Sequence, residues 1–140
     1  MSQSPRRDLL GRKTAIDHVG VVVRDLRSAI DYFTKLGLEL VSEEEIVDAG
    51  VHVAYLGNDG QLLQLLQPVR NGPLQAYLEE HGEGLHHVCF AVPAIRELIE
   101  SLPGEEEPAI NRGGRGTWTC FLRQRHHGVV VELAEARQPE

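Results

Sequence analysis

Apolar residues in this chain fall into short β-branched or leucine-rich runs, and several of these runs carry one polar residue in their middle. From Ala15 the sequence reads AIDHVGVVVRDLRSAIDYFTKLGLELVSEEEI, then GVHVAYLGNDGQLLQLLQP. The run over 19–23 predicts a short strand bounded by polar residues. Asp25 is placed to cap a helix starting near Leu26, and Leu26, Ala29, Ile30 and Phe33 recur at helical spacing to give it one apolar face. Gly37 is a natural stop for that helix. A strand is expected over 38–40. Residues 51–56 and 62–66 predict a hairpin about Gly57, Asn58, Asp59 and Gly60, which tolerate positive φ.

The second half repeats the order. GLHHVCFAV reads as a strand, and Pro93 suits the first turn of a helix in AIRELIESL. Ile95, Leu98, Ile99 and Leu102 supply the apolar stripe, and Pro103 with Gly104 stops it. A glycine-rich stretch over 111–116 leads into TWTCFL, RQRHHG turns the chain, and VVVEL closes it. Between the halves, PLQAYLEEHGEG reads as a short helix and linker. The expected architecture is α+β, with one βαβββ module in each half of the chain. An N-terminal tail covers 1–14, the first module 15–68, the linker helix 69–84 and the second module 85–136, together one domain.

The polar residues inside the strands repeat as well. His18, in His-Val-Gly-Val, and His87, in His-Val-Cys-Phe, stand 69 positions apart. Gln64, inside Leu-Leu-Gln-Leu-Leu, and Glu132, inside Val-Val-Glu-Leu, stand 68 apart. Offsets that agree within one residue are what an internal duplication produces. A carboxylate amid valines costs several kcal/mol to bury unless it is paired or bound to a metal, and an amide amid leucines meets the same problem. Two imidazoles, a carboxylate and an amide oxygen suit one divalent ion such as Co²⁺, Zn²⁺, Ni²⁺ or Mn²⁺, leaving positions open for water or substrate. Any one of the four taken alone reads more simply: a satisfied core histidine, an edge-strand amide, a glutamate paired with a buried arginine. Their matched spacing favours joint metal binding by His18, Gln64, His87 and Glu132.

Other polar residues carry less. His86 alternates to the opposite strand face and reads as structural, and Cys89 as a small core residue. His126 and His127 belong to a turn, while His52 and His81 give no signal. Glu43, Glu44 and Glu45, like Glu105, Glu106 and Glu107, read as solvated charge runs.

A net charge of −7, with no basic stripe in the body of the chain, argues against nucleic acid. No apolar run approaches the roughly 18–20 residues of a membrane span. The two cysteines, Cys89 and Cys120, are far apart and form no CxxC pair, which fits a reducing cytoplasm. The basic start of the chain, MSQSPRRDLLGRK, lacks the apolar stretch of a targeting segment and reads as a solvated tail.

IDHVGVVVRDL, LGLEL, AGVHVAYLG, LLQLLQP, GEGLHHVCF and GVVVEL together resemble the vicinal-oxygen-chelate superfamily. Within it, GEGLHHVCF and the preceding PLQAYLEEH are most similar to the methylmalonyl-CoA epimerase family. The resemblance covers nearly everything from Ile16 to Glu135. It implies paired βαβββ modules forming an open barrel-like metal-binding cleft, usually in a dimer, with metal ligands at His18, Gln64, His87 and Glu132. It also implies an acyl-CoA substrate whose α carbon lies between a thioester and a carboxylate. Such an epimerase removes the α proton on one face and returns one on the other, with a metal spreading charge off the enolate. The chain departs from the family pattern in several places. The first helix is one residue shorter before LGLEL, and the family's acidic residue after the second His-bearing strand is replaced around Pro93 and Ala94. Arg125 stands where the family has a lysine, which makes it the candidate substrate-binding residue. Some members carry an acidic base where this chain has Val53, so Glu132 is the one proton-transfer residue that can be named.

Three other functions compete. A glyoxalase I-like isomerase or lyase acting on a thiol adduct would use the same four ligands. A ring-cleaving dioxygenase would use His18, His87 and Glu132 as its triad, but Gln64 would crowd the positions that oxygen chemistry needs. A ligand-sequestering protein of the same fold often lacks metal ligands, and the intact quartet argues against it.

Overall fold

The computed structural model describes residues 14–58, 60–106 and 108–135. The expected tail up to residue 13, Asp59 of the hairpin turn, Glu107 and the end of the second module at Ala136 lie outside these residues. Among the described residues the first half runs β1 (Ala15–Val22), α1 (Leu26–Lys35), β2 (Glu39–Ile46), β3 (Val51–Asn58) and β4 (Gln61–Pro68). Next comes α2 (Pro73–His81), followed by β5 (Gly84–Ala91), α3 (Ile95–Ile99), β6 (Asn111–Arg112), β7 (Trp118–Phe121) and β8 (Val131–Glu135). This α+β order is βαβββ twice over, with α2 between the two copies.

The chain divides into two compact units, 18–87 in one and the remaining residues in the other, cut at the Asp17–His18 and His87–Val88 bonds. In the 18–87 unit, β4 pairs antiparallel with β3 and parallel with β1, and β3 pairs antiparallel with β2. Asp25 caps α1 as the sequence predicts, its Oδ1 accepting the Ser28 N–H at 3.1 Å. The apolar stripe of α1 then lands on the sheet: Leu26 and Ile30 are buried with Ala54, Leu56 and Leu65, and Ala29 and Phe33 pack alongside. Gly57 falls inside β3, where a Cβ would lie 1.8 Å from the Gln61 carbonyl oxygen, so only glycine permits the hairpin to close this tightly.

In the other unit β8 pairs parallel with β5 and antiparallel with β7, and β7 pairs with β6. Ile95 and Ile99 of α3 are buried with Val92, Cys120 and Leu133. This helix is shorter than its apolar stripe predicts. It ends at Ile99, so Leu102 lies beyond it, and it begins after Pro93, with Ala94 extended at the N-cap position. Alanine has no side-chain oxygen for the first-turn amides, and the Ser101 hydroxyl bonds the Leu98 carbonyl at the far end.

Glu105 overturns the expectation of a solvated acidic run. It is 4% exposed, and its two carboxylate oxygens accept the backbone N–H groups of Arg123 and Gln124 at 2.7 and 2.8 Å. A carboxylate taken out of water needs such donors, and here they pin the start of the turn between β7 and β8. Glu43 is likewise held, by Arg27 at 2.5 Å, with His52 at 3.7 Å.

Candidate functional site

Three of the four predicted ligands belong to the 18–87 unit, and all three are buried: His18, Gln64 and His87 are 3, 5 and 5% exposed. His18 lies on β1 and Gln64 on β4, whose parallel register sets Gln64 opposite Gly20, two residues beyond His18. Side chains two apart on a strand share a face, so the sheet places His18, the space above Gly20 and His87 together. A Cβ on Gly20 would lie 2.2 Å from Cε1 of His87, so the imidazole occupies the volume that a side chain would fill. The Nε2 atoms of His18 and His87 are 3.2 Å apart, with ring planes at 82°. Two nitrogens bound at about 2.1 Å to one tetrahedral or octahedral ion would be separated by roughly 3.0–3.4 Å, so this spacing fits a shared cation.

Tyr55 ties Gln64 to the histidines. Its hydroxyl oxygen accepts a hydrogen bond from Gln64 Nε2 at 2.9 Å, and its ring meets that of His18 edge-on, centroids 5.7 Å apart. With the NH₂ end engaged, the amide is turned so that Oε1 is the available end. Gln64 Oε1 is buried and has no hydrogen-bond partner among the described residues. A buried carbonyl oxygen left in this way costs about 1–3 kcal/mol, a cost that a cation would remove. The two imidazole nitrogens of this unit therefore fit a divalent metal in their spacing, and the unsatisfied amide oxygen of Gln64 fits one in its chemistry.

Glu132, 7% exposed, lies on β8 of the other unit, in register with Cys89 of β5. Cys89 follows His87 by two residues, as Gly20 follows His18, so Glu132 occupies in its unit the place Gln64 occupies in the other. Burial first, then the neighbouring charge of Glu132 and that of Asp17, push the Cys89 thiol well above its usual range, so it stays protonated. That matches the reading of Cys89 as a small core residue. Asp17 is paired with Arg115, whose backbone lies in the left-handed region at φ 58°. Sequence pattern singles out neither residue, because a left-handed turn and a pair 98 positions apart leave no local signal there.

Arg125 lies exposed in the turn between β7 and β8, immediately after the two residues whose amides Glu105 holds, and His126 and His127 are exposed beside it. Val53 is fully buried with Val51, Tyr55 and Leu66, so that position contributes to the core and offers no proton-transfer group. The structure departs from the sequence reading of His86, which is not merely a residue of the opposite face. Its Nδ1 lies 2.8 Å from Nδ1 of His87.

The profile of the Glyoxalase/Bleomycin resistance protein/Dioxygenase superfamily matches residues 17–117. An ethylmalonyl-CoA/methylmalonyl-CoA epimerase of Cereibacter sphaeroides is 30% identical over 138 residues, covering 91% of this chain and 99% of that protein. The uncharacterized protein YqjC of Bacillus subtilis is also 30% identical, over 129 residues, covering 87% of this chain and 92% of its own. Among solved structures, a methylmalonyl-CoA epimerase in complex with methylmalonyl-CoA and NH4+ superposes with a TM-score of 0.79 at 28% identity. It covers 91% of this chain and 97% of that one.

Proposed function

We propose that this chain, which belongs to the glyoxalase/bleomycin resistance/dioxygenase superfamily, is a metal-dependent epimerase of a 2-substituted malonyl-CoA. The observation that carries the reading is the trio His18, Gln64 and His87, buried together with the imidazole Nε2 atoms 3.2 Å apart and the amide oxygen unsatisfied. The epimerases similar to it along nearly their whole length supply the substrate class. In this reading His18, Gln64 and His87 hold a divalent ion, with Glu132 as the fourth, anionic ligand, an assignment supported by its register equivalence to Gln64. When bound, such an ion supplies a Lewis acid for the negative charge that builds as a carbon between two carbonyl groups loses its proton.

The chain's own residues supply the rest. Glu132 is the carboxylate that moves the α proton. Arg125 offers an exposed charged donor to an anionic part of the acyl-CoA, either its carboxylate or a phosphate. We further place the protein in the cytoplasm as a homodimer. Ile16 and Leu85, equivalent positions of the two modules, are 65 and 71% exposed, apolar surface that a second copy would cover. Light scattering that returns only the 15.6 kDa monomer at micromolar concentration would overturn the dimer.

The decisive experiment incubates metal-loaded protein with methylmalonyl-CoA in D₂O and follows α-hydrogen exchange by NMR. Exchange is expected with the wild type, and Glu132→Gln should lose turnover while partly retaining metal. A charged hydrogen bond is worth roughly 1.5–3 kcal/mol, so Arg125→Ala should weaken apparent affinity about ten- to a hundred-fold. Protein that leaves methylmalonyl-CoA unexchanged yet turns over a thiol adduct would establish the glyoxalase-like reaction in its place.

A further inference from the structure

We infer that His86 and Tyr77 are positioning residues that set the tautomer of His87, so that α2 and the strand after it support the ion site proposed above, on which this inference rests. An imidazole that gives its Nε2 lone pair to a cation must carry its proton on Nδ1, and that N–H needs an acceptor. Nδ1 of His87 lies 2.8 Å from Nδ1 of His86, so His86 is the acceptor and holds its own proton on Nε2. Successive strand residues ordinarily point to opposite faces. Here the two rings nevertheless meet edge to face, centroids 5.0 Å apart at 89°.

Tyr77 of α2 holds His86 in that orientation. Its ring meets His86 edge-on at 4.6 Å, its hydroxyl donates to the Leu85 carbonyl at 3.2 Å, and His81 packs against it at 4.4 Å. The backbone at Gly20 meets the His87 ring from β1, where any Cβ would overlap it. Held between these contacts, the ring directs Nε2 at Nε2 of His18. A helix that reads from sequence as a linker thus buttresses a ligand.

The test uses the full-length protein, with two readouts. Long-range ¹H–¹⁵N spectra of the metal-free protein report the tautomer of His87, and calorimetric titration with Co²⁺ reports affinity. In the wild type His87 is expected as the Nδ1–H form. His86→Phe keeps a ring against Tyr77 but removes the acceptor; it should mix the tautomers and weaken Co²⁺ binding about 10- to 100-fold, whereas His86→Asn should stay within about threefold. The asparagine places Oδ1 as many bonds from Cα as histidine places Nδ1. A His87 protonated on Nε2 in the wild type, or unchanged Co²⁺ affinity in His86→Phe, overturns the inference. Should His86→Phe not fold, the wild-type tautomer and the asparagine variant decide between the two outcomes. A wild type that takes up no Co²⁺ sinks the ion site itself, while the tautomer still tells whether His86 sets His87.

Discussion

The two βαβββ modules carry one plan with different residues at its key points. Where β4 of the first module has Gln64 opposite Gly20, β8 of the second has Glu132 opposite Cys89. Three positions after each, Gln67 Oε1 accepts the Leu26 N–H at 2.7 Å and Glu135 Oε1 accepts the Ile95 N–H at 2.8 Å. The last strand of each module therefore both offers a ligand-type side chain and ties down the first turn of that module's helix. Above that shared frame the modules diverge. Asp25 caps a helix of 10 residues, while Ala94 at the equivalent place precedes a helix of 5. β2 has 8 residues and β6 has 2. The difference teaches that the ligand-bearing strands and their ties to the helix survive large changes in helix and edge-strand length.

The largest effect is expected at the ligands. His87→Ala should lower metal affinity by orders of magnitude, because affinity rests on ligand number, and should exceed any substitution of His86. Gly20→Ala should act on the same ring from the opposite strand. Its new Cβ would overlap His87, and overpacking of this kind costs about 1–3 kcal/mol of stability. Calorimetric titration with a divalent metal beside thermal unfolding separates the two losses. Equal metal binding in the wild type and His87→Ala would break the assignment.

A smaller effect is expected at Glu105. Glu105→Ala leaves the Arg123 and Gln124 amides without their carboxylate, and charged hydrogen bonds contribute roughly 1.5–3 kcal/mol each. A destabilisation of about 2–4 kcal/mol by urea unfolding is expected. An unchanged midpoint would mean that the turn holds itself without the carboxylate.

The smallest effect sharpens the comparison directly. If α3 is short for want of a cap, Ala94→Asp should stabilise the protein by about 1 kcal/mol, and Asp25→Ala should cost the first module a similar amount. A destabilising Ala94→Asp would show that the Glu135 tie alone governs how this helix begins.

Much of this is legible in the chain. The 3.6-residue stripe of α1, the cap at Asp25 and the hairpin glycines are local signals, read from a few neighbouring residues. His18, Gln64, His87 and Glu132 stand out because a polar side chain inside an apolar strand is costly to bury, and because their spacing repeats. Other features carry no such mark. Glu105 looks like any acidic run until the turn 18 positions later delivers two amides to it. α3 keeps a helical stripe through Leu102, yet the helix stops at Ile99, because periodicity records which face is apolar and says little about where the backbone leaves the helix. Strand alternation assigns His86 to the far face, whereas its ring reaches back to His87 under the hold of Tyr77, from an element that sequence reads as a linker.

By itself, then, the sequence determined the twofold βαβββ plan and the residue types able to bind a cation, because periodicity and the cost of burying polar groups act along the chain. The tertiary structure alone decided how those residues are aimed: the Tyr55 hydroxyl that turns the Gln64 amide, the space above Gly20 that admits His87, and the His86 nitrogen that meets its Nδ1. Orientation is a property of contacts between strands and helices distant in sequence, and hydrogen-bond geometry acts over a few ångströms of space whatever the separation along the chain.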